Sequence, residues 1–85
     1  MKIYVVTGDD NDSYRWIDGV FSSRESAEKH VRSQIEKFAK KKARYDELCG
    51  LARELTEDEA RERFVLFNVT ETGRSYNVKE YEVQE

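Results

Sequence analysis

The sequence predicts an α+β domain, a four-stranded antiparallel sheet in ββαββ order with one long helix and a short second helix covering one face. Three observations carry this reading. Apolar residues recur every three or four positions through the middle of the chain, as on one face of a helix. Short runs rich in β-branched and aromatic residues stand at both ends. Turn-forming clusters at residues 8–13 and 71–74 fold those runs into hairpins. At 85 residues the chain makes one domain, 1–85.

The first strand is read from Lys2 to Thr7, KIYVVT, whose nearly continuous apolar character suits an interior position in a sheet. Gly8-Asp9-Asp10-Asn11-Asp12-Ser13 follows as a turn. Its aspartates are hard oxygen ligands, yet an EF-hand loop counted from Asp9 needs Gly and Glu where Tyr14 and Val20 stand, so a solvated hairpin loop is expected. Tyr14 to Phe21 is the second strand. Neither of its faces is cleanly apolar, and Gly19 marks a bulge that would turn Val20 and Phe21 toward the core. Trp16 is read two ways, as a core residue and as an exposed anchor for a partner.

Ser22 and Glu25 have capping-box spacing at the start of the long helix, with Ser23 as an alternative cap. The helix is read from Arg24 to about Arg53. Its stripe comprises Ala27, Val31, Ile35, Phe38, Tyr45, Leu48, Cys49, Ala52 and Leu55, interrupted by Lys42. The stretch to Cys49 would be ~39 Å long at 1.5 Å per residue, against ~23 Å for a seven-residue strand. Either the chain folds back near Gly50, or the second half of the helix lies against another chain, as in a homodimer joined through residues 42–55. A second capping box, Thr56 with Glu59, opens a short helix over Glu57–Arg63. Phe64 to Thr70 is read as the third strand. Glu71-Thr72-Gly73-Arg74 turns the chain into the fourth, Ser75 to about Val83, where a bulge near Lys79-Glu80 would bring Tyr76, Val78, Tyr81 and Val83 onto one face. The uncovered sheet face is expected to carry Tyr, Phe and Trp.

The opening Lys2-Ile3-Tyr4-Val5-Val6 and the stretch Gly19-Val20-Phe21-Ser22-Ser23-Arg24-Glu25-Ser26-Ala27 resemble an uncharacterised family of small domains found in bacterial and phage proteins. The closing Tyr76-Asn77-Val78-Lys79-Glu80-Tyr81-Glu82-Val83 is similar to that family's last strand. The resemblance covers the two ends and carries no activity. A phage setting adds small host-directed inhibitors, such as anti-CRISPR proteins, to the functional readings.

Charge is unevenly placed. The chain carries −3 in all, but residues 24–45 carry +5 and residues 46–63 carry −4. Such asymmetry suits an oriented contact or two mutually attracting helix segments. One cysteine excludes an internal disulfide, and one cysteine with one histidine excludes the usual zinc patterns. Cys49 is read as a buried, inert thiol and His30 as a residue of a solvated face. No catalytic constellation, phosphate-cradling glycine loop, cofactor motif, signal peptide or membrane span is present, so the expectation is a non-enzymatic, cytoplasmic protein without a cofactor.

Two functional readings remain. The first is a protein–protein interaction module, an anti-CRISPR-like inhibitor in its specific form. It would act by steric occlusion or by acidic mimicry of phosphate, with Trp16, Asp9, Asp10, Asp12, Glu57, Asp58 and Glu59 as partner-binding residues. The second is a nucleic-acid binder using Lys37, Lys40, Lys41 and Arg44, which share one side of the helix.

Overall fold

The structure is a computed structural model that describes residues 1–84. Two strands, β1 (Lys2–Asp9) and β2 (Arg15–Phe21), lead into a long helix α1 (Arg24–Cys49). A second helix, α2 (Glu57–Thr70), and a final strand, β3 (Ser75–Glu82), complete the chain. The sheet has three antiparallel strands in the order β2-β1-β3, so β1 is central, as its apolar run suggests, and both neighbours are edges.

The expected fourth strand does not form. Residues 64–70 are the second half of α2, so the order is ββααβ and not ββαββ. Their β-branched and aromatic content favours a strand locally, but the helix that begins upstream continues through them. Once the Thr56 capping box starts the helix, no glycine or proline stops it before Gly73. Continued at helical spacing, Glu59, Glu62, Leu66, Val69 and Thr70 form the less exposed side of α2. The turn at 71–74 therefore joins a helix to β3.

The core follows from the strand register. Tyr4, Val6 and Gly8 point to the helical side of β1. Opposite them stand Phe21, Gly19 and Trp16 on β2, and Glu80, Val78 and Tyr76 on β3. A bulge displaces the β1–β2 pairing between Val6 and Thr7, leaving Asp18 as the extra residue. It resets the parity so that Trp16, Asp18 and Phe21 all serve the inner side, whereas Ile17 and Val20 stay outside, 71% and 57% exposed. Val20 thus does not join Phe21. The β3 pairing runs without a shift, so there is no bulge at Lys79-Glu80 and Tyr81 lies on the open face. That face carries Ile3, Val5, Ile17, Val20 and Tyr81, with no tryptophan.

The first half of α1 crosses the sheet and its second half leaves it. Ser23 is the N-cap, its hydroxyl accepting from the Ser26 N–H, so the cap is one residue later than the Ser22–Glu25 box. The helix ends at Gly50, whose N–H donates to the Asp46 and Glu47 carbonyls. The chain then folds back and α2 returns along α1, giving a helical arm that projects past the β1–β2 turn. The molecule measures 60 × 24 × 16 Å. Fully buried apolar residues among those described are Val6 and Ala27 in the sheet layer and Leu48 in the arm. Cys49, expected inside, is exposed, because the face of α1 that meets α2 is centred on Leu48.

Gly8 is required by a close approach. Trp16 lies beside it on β2 and Tyr76 on β3, and the two rings meet edge to face across it, with centroids 6.5 Å apart. A Cβ at Gly8 would overlap the Trp16 indole at Cε2 and Cζ2. Gly8→Ala should therefore destabilise the fold by about 1–3 kcal/mol through overpacking. Urea denaturation followed by tryptophan fluorescence checks this, and an unchanged midpoint would show that the indole has room to move.

Candidate interaction surface

The base of the arm is pinned by a polar network that no sequence motif announced. Asp18, on the β2 bulge, accepts from Trp16 Nε1 at 2.9 Å and from Gln34 Nε2 at 3.0 Å, and lies 2.6 Å from His30 Nε2. Burial pushes the Asp18 carboxyl up, but these hydrogen bonds outweigh it and hold the group below its usual range. His30 is half-buried against Phe21, ring centroids 5.1 Å apart, and not on a solvated face. Its spacing to Gln34 places both side chains over β2. Trp16 is likewise engaged with the fold, stacked on Tyr14 at 5.6 Å and covered by the Arg74 guanidinium at 5.8 Å. Beside Asp18, the Tyr76 phenol is raised by burial and by the neighbouring carboxylate.

The acidic residues expected to meet a partner form two separate groups. Asp9 and Asp10 build the β1–β2 turn. Asp9 accepts from the Asn11 N–H and pairs with Arg15, and Asp10 accepts from the N–H groups of Asp12, Ser13 and Tyr14. These backbone bonds, chiefly those of Asp12 and Tyr14, lower the Asp10 carboxyl. Asp12 is exposed. Glu57, Asp58 and Glu59 begin α2 at the far tip of the arm, a helix of 14 residues and so ~21 Å from end to end. Glu57 pairs with Arg61, and Glu59 is held by Arg53 at 2.7 and 2.8 Å while closing the Thr56 capping box. Asp58, 97% exposed, has only a 4.0 Å contact with Arg61.

The basic strip on α1 is also divided. Arg44 donates to both carboxylate oxygens of Glu62, at 2.7 and 3.1 Å, and to Glu47, an arrangement that joins the two helices and raises the guanidinium further. Lys40 pairs with Glu36. Lys37 and Lys41 line a small cleft at the arm's base. Among the described residues, no group of His, Cys, Asp or Glu could hold a metal ion. Among the described residues, no helix is long and apolar enough to cross a membrane.

What the arm does present is apolar. Phe64, Val65 and Phe67 on α2 are 67%, 58% and 45% exposed, and Ile35 on α1 is 52% exposed. Phe64 and Phe67, three residues apart, share one side of α2. Phe67 meets Tyr45 across the helix pair, centroids 6.2 Å apart. Ile35, Lys42 and Cys49 recur every seventh residue and run as a line beside Tyr45. At the tip, Leu48, Leu51, Leu55 and Ala60 with Arg53 and Arg63 line an open cleft of about 430 Å³.

A profile described as Domain of unknown function (DUF7336) matches residues 1–85. The chain belongs to this family. Its description assigns no activity to DUF7336 domains, in keeping with the resemblance to an uncharacterised family. No curated protein and no solved structure matches the chain.

The Arg53–Glu59 pair at the tip of this DUF7336 chain has a pH signature. The Arg53 guanidinium, then the Thr56 N–H, holds the Glu59 carboxyl down to about 2. A carboxyl lowered on folding stabilises the native state above its unfolded value and loses that contribution as pH falls through its folded value. Thermal stability should therefore decline between pH 4.5 and about 2, and Glu59→Gln should flatten that decline while lowering stability at neutral pH. Melting curves followed by circular dichroism across this range test it. An identical pH slope in the variant would remove Glu59 from the account.

Proposed function

We propose that this domain is a non-enzymatic protein–protein interaction module that docks through the apolar side of its helical arm. The observation that carries the reading is the exposure of Phe64 and Phe67 beside Tyr45 on an arm that a lone chain leaves uncovered. The dimensions support it. The radius of gyration is 16.9 Å, against about 12 Å for a compact domain of this length. The accessible surface is 6441 Å², where about 5,300 Å² is usual for this mass. Aromatic side chains on a protruding, rigid element are the groups that dominate binding energy when a partner desolvates them.

Steric occlusion of a partner's surface is the mode this shape favours. Acidic mimicry is favoured less, because Asp9, Asp10, Glu57 and Glu59 are held by internal partners, and the turn and the arm tip are separate. A bacterial or phage source and an anti-CRISPR-like role rest on the sequence resemblance and its company alone. Nucleic-acid binding along Lys37–Arg44 draws less support than protein docking, since Arg44 and Lys40 are already paired.

A second copy of the chain is one partner with a specific argument behind it. The +5 stretch at residues 24–45 and the −4 stretch at residues 46–63 lie in sequence along the arm. A two-fold axis near Tyr45 would set each against its opposite in the other copy.

Phe64→Asp separates docking from folding. Its ring is mostly exposed, so the variant should keep its stability within about 0.5 kcal/mol. It should weaken partner capture by about tenfold or more, ~1.4 kcal/mol. The comparison is a tagged pull-down from the native host with nuclease present, alongside light scattering of the purified chain. Partner bands retained equally by Phe64→Asp, or bands that vanish with nuclease, would overturn the docking surface. A monomer mass at high concentration would remove the second copy as the partner.

A further inference from the structure

We propose that the cleft at the base of the arm, between α1 and the turn into β3, binds a phosphate group. The inference is independent of the apolar docking surface, which lies on α2 nearer the middle of the arm. The cleft has a volume of about 130 Å³ and is lined by Lys37, Lys41 and Arg74 with Gln34, Phe38 and Tyr76. Ligand pockets for drug-sized molecules run from about 300 to 1,000 Å³. This one admits a single group and not a whole nucleotide.

Three cations line the cleft; the Asp10 carboxylate of the β1–β2 turn acts on Arg74 through space but makes no ion-pair contact with it. Among the described residues, no carboxylate lies within 4.0 Å of the charged nitrogens of Lys37, Lys41 or Arg74. The helix cannot supply one. The residues three and four positions from Lys37 are Ser33, Gln34, Lys40 and Lys41, and those from Lys41 are Lys37, Phe38, Arg44 and Tyr45. Two arginines nearer the tip are arranged differently, Arg44 being paired with Glu62 and Arg53 with Glu59.

Arg74 is held in place for such a ligand. Its Nη1 donates to Thr72 Oγ1 at 2.7 Å and to the Gly73 carbonyl at 3.0 Å, and its Nη2 donates to the Val69 carbonyl at 2.9 Å. The guanidinium lies over the rings of Trp16 and Phe38, 5.8 and 5.4 Å from their centroids. A guanidinium has five N–H groups. Nε–H and one N–H of Nη2 are therefore not taken by these three acceptors, and a guanidinium donor suits the oxygens of an anion. Three positive charges suit the dianion of a phosphate better than the single charge of a carboxylate. Free inorganic phosphate and the terminal phosphate of a phosphomonoester share this chemistry.

The test is a ¹⁵N–¹H NMR titration of the full chain at constant ionic strength, made up with chloride. The probes are inorganic phosphate, phosphoserine and a single-stranded DNA oligonucleotide without terminal phosphates. The expected result is a saturable shift of the Arg74 Nε–H and of the backbone amides of residues 34–41 with phosphate or phosphoserine. The tighter of the two names the source. Lys37→Gln with Lys41→Gln, both solvent-exposed changes, should weaken the apparent affinity by about tenfold or more while leaving the far-UV spectrum unchanged. Shifts that rise linearly as with chloride, saturation unaffected by the double substitution, or saturation by the oligonucleotide alone would each overturn the proposal.

Discussion

A helix of 26 residues is ~39 Å long, whereas the eight-residue strands beneath it span ~27 Å. This mismatch governs the rest of the architecture. The overhanging half of α1 still carries Tyr45 and Leu48, which need cover that the sheet cannot give. The chain answers by folding back at Gly50 and laying α2 along the overhang. Leu48 becomes the buried centre of a second, smaller core, and Arg44 and Glu62 clasp the two helices beside it. A helix pair covers only one side of each member, so the outer sides of α2 stay bare. The exposed Phe64 and Phe67 are thus a consequence of how the overhang is covered.

The junction between sheet and arm is built from polar and aromatic groups more than from aliphatic ones. Asp18 sits where the β2 bulge aims it at α1, and gathers Trp16, His30 and Gln34 around one carboxylate. Arg74 closes the opposite side by lying over Trp16 and Phe38 while its donors cap the carbonyl of Val69 near the end of α2. Such a network is satisfied only when β2, α1 and the turn before β3 are all in place. It fixes the direction in which the arm leaves the sheet, because each partner comes from a different element.

The first hairpin is legible in the sequence because its signals agree. In Lys2–Asp9 and Arg15–Phe21, β-propensity, turn chemistry and apolar pattern all point to paired strands. The long helix and its overhang follow from a stripe and a length. The stretch 64–70 misleads because its local alternation competes with a quieter signal, the absence of any breaker after the Thr56 cap. Its helical stripe is concealed, since two of its members are Glu59 and Glu62, which face Arg53 and Arg44 instead of apolar neighbours. The polar network is not legible at all. Asp18 and His30 are twelve residues apart, and only the bulge, set by pairing with β1, brings them together. Trp16, offered to a partner by its residue type, is claimed by Gly8, whose missing side chain makes its seat.

Both ends of the described chain meet at one corner. The Val83 N–H donates to the Met1 carbonyl at 2.7 Å, beside the Ile3–Tyr81 pair and at the edge of the sheet remote from the arm. Anything tethered at either terminus, a tag or a neighbouring domain, is therefore attached to the handle and not to the blade. The arm can sweep outward on such a tether while its reach stays set by the rigid span of the domain, and two copies joined end to end would hold their arms apart as separate grips.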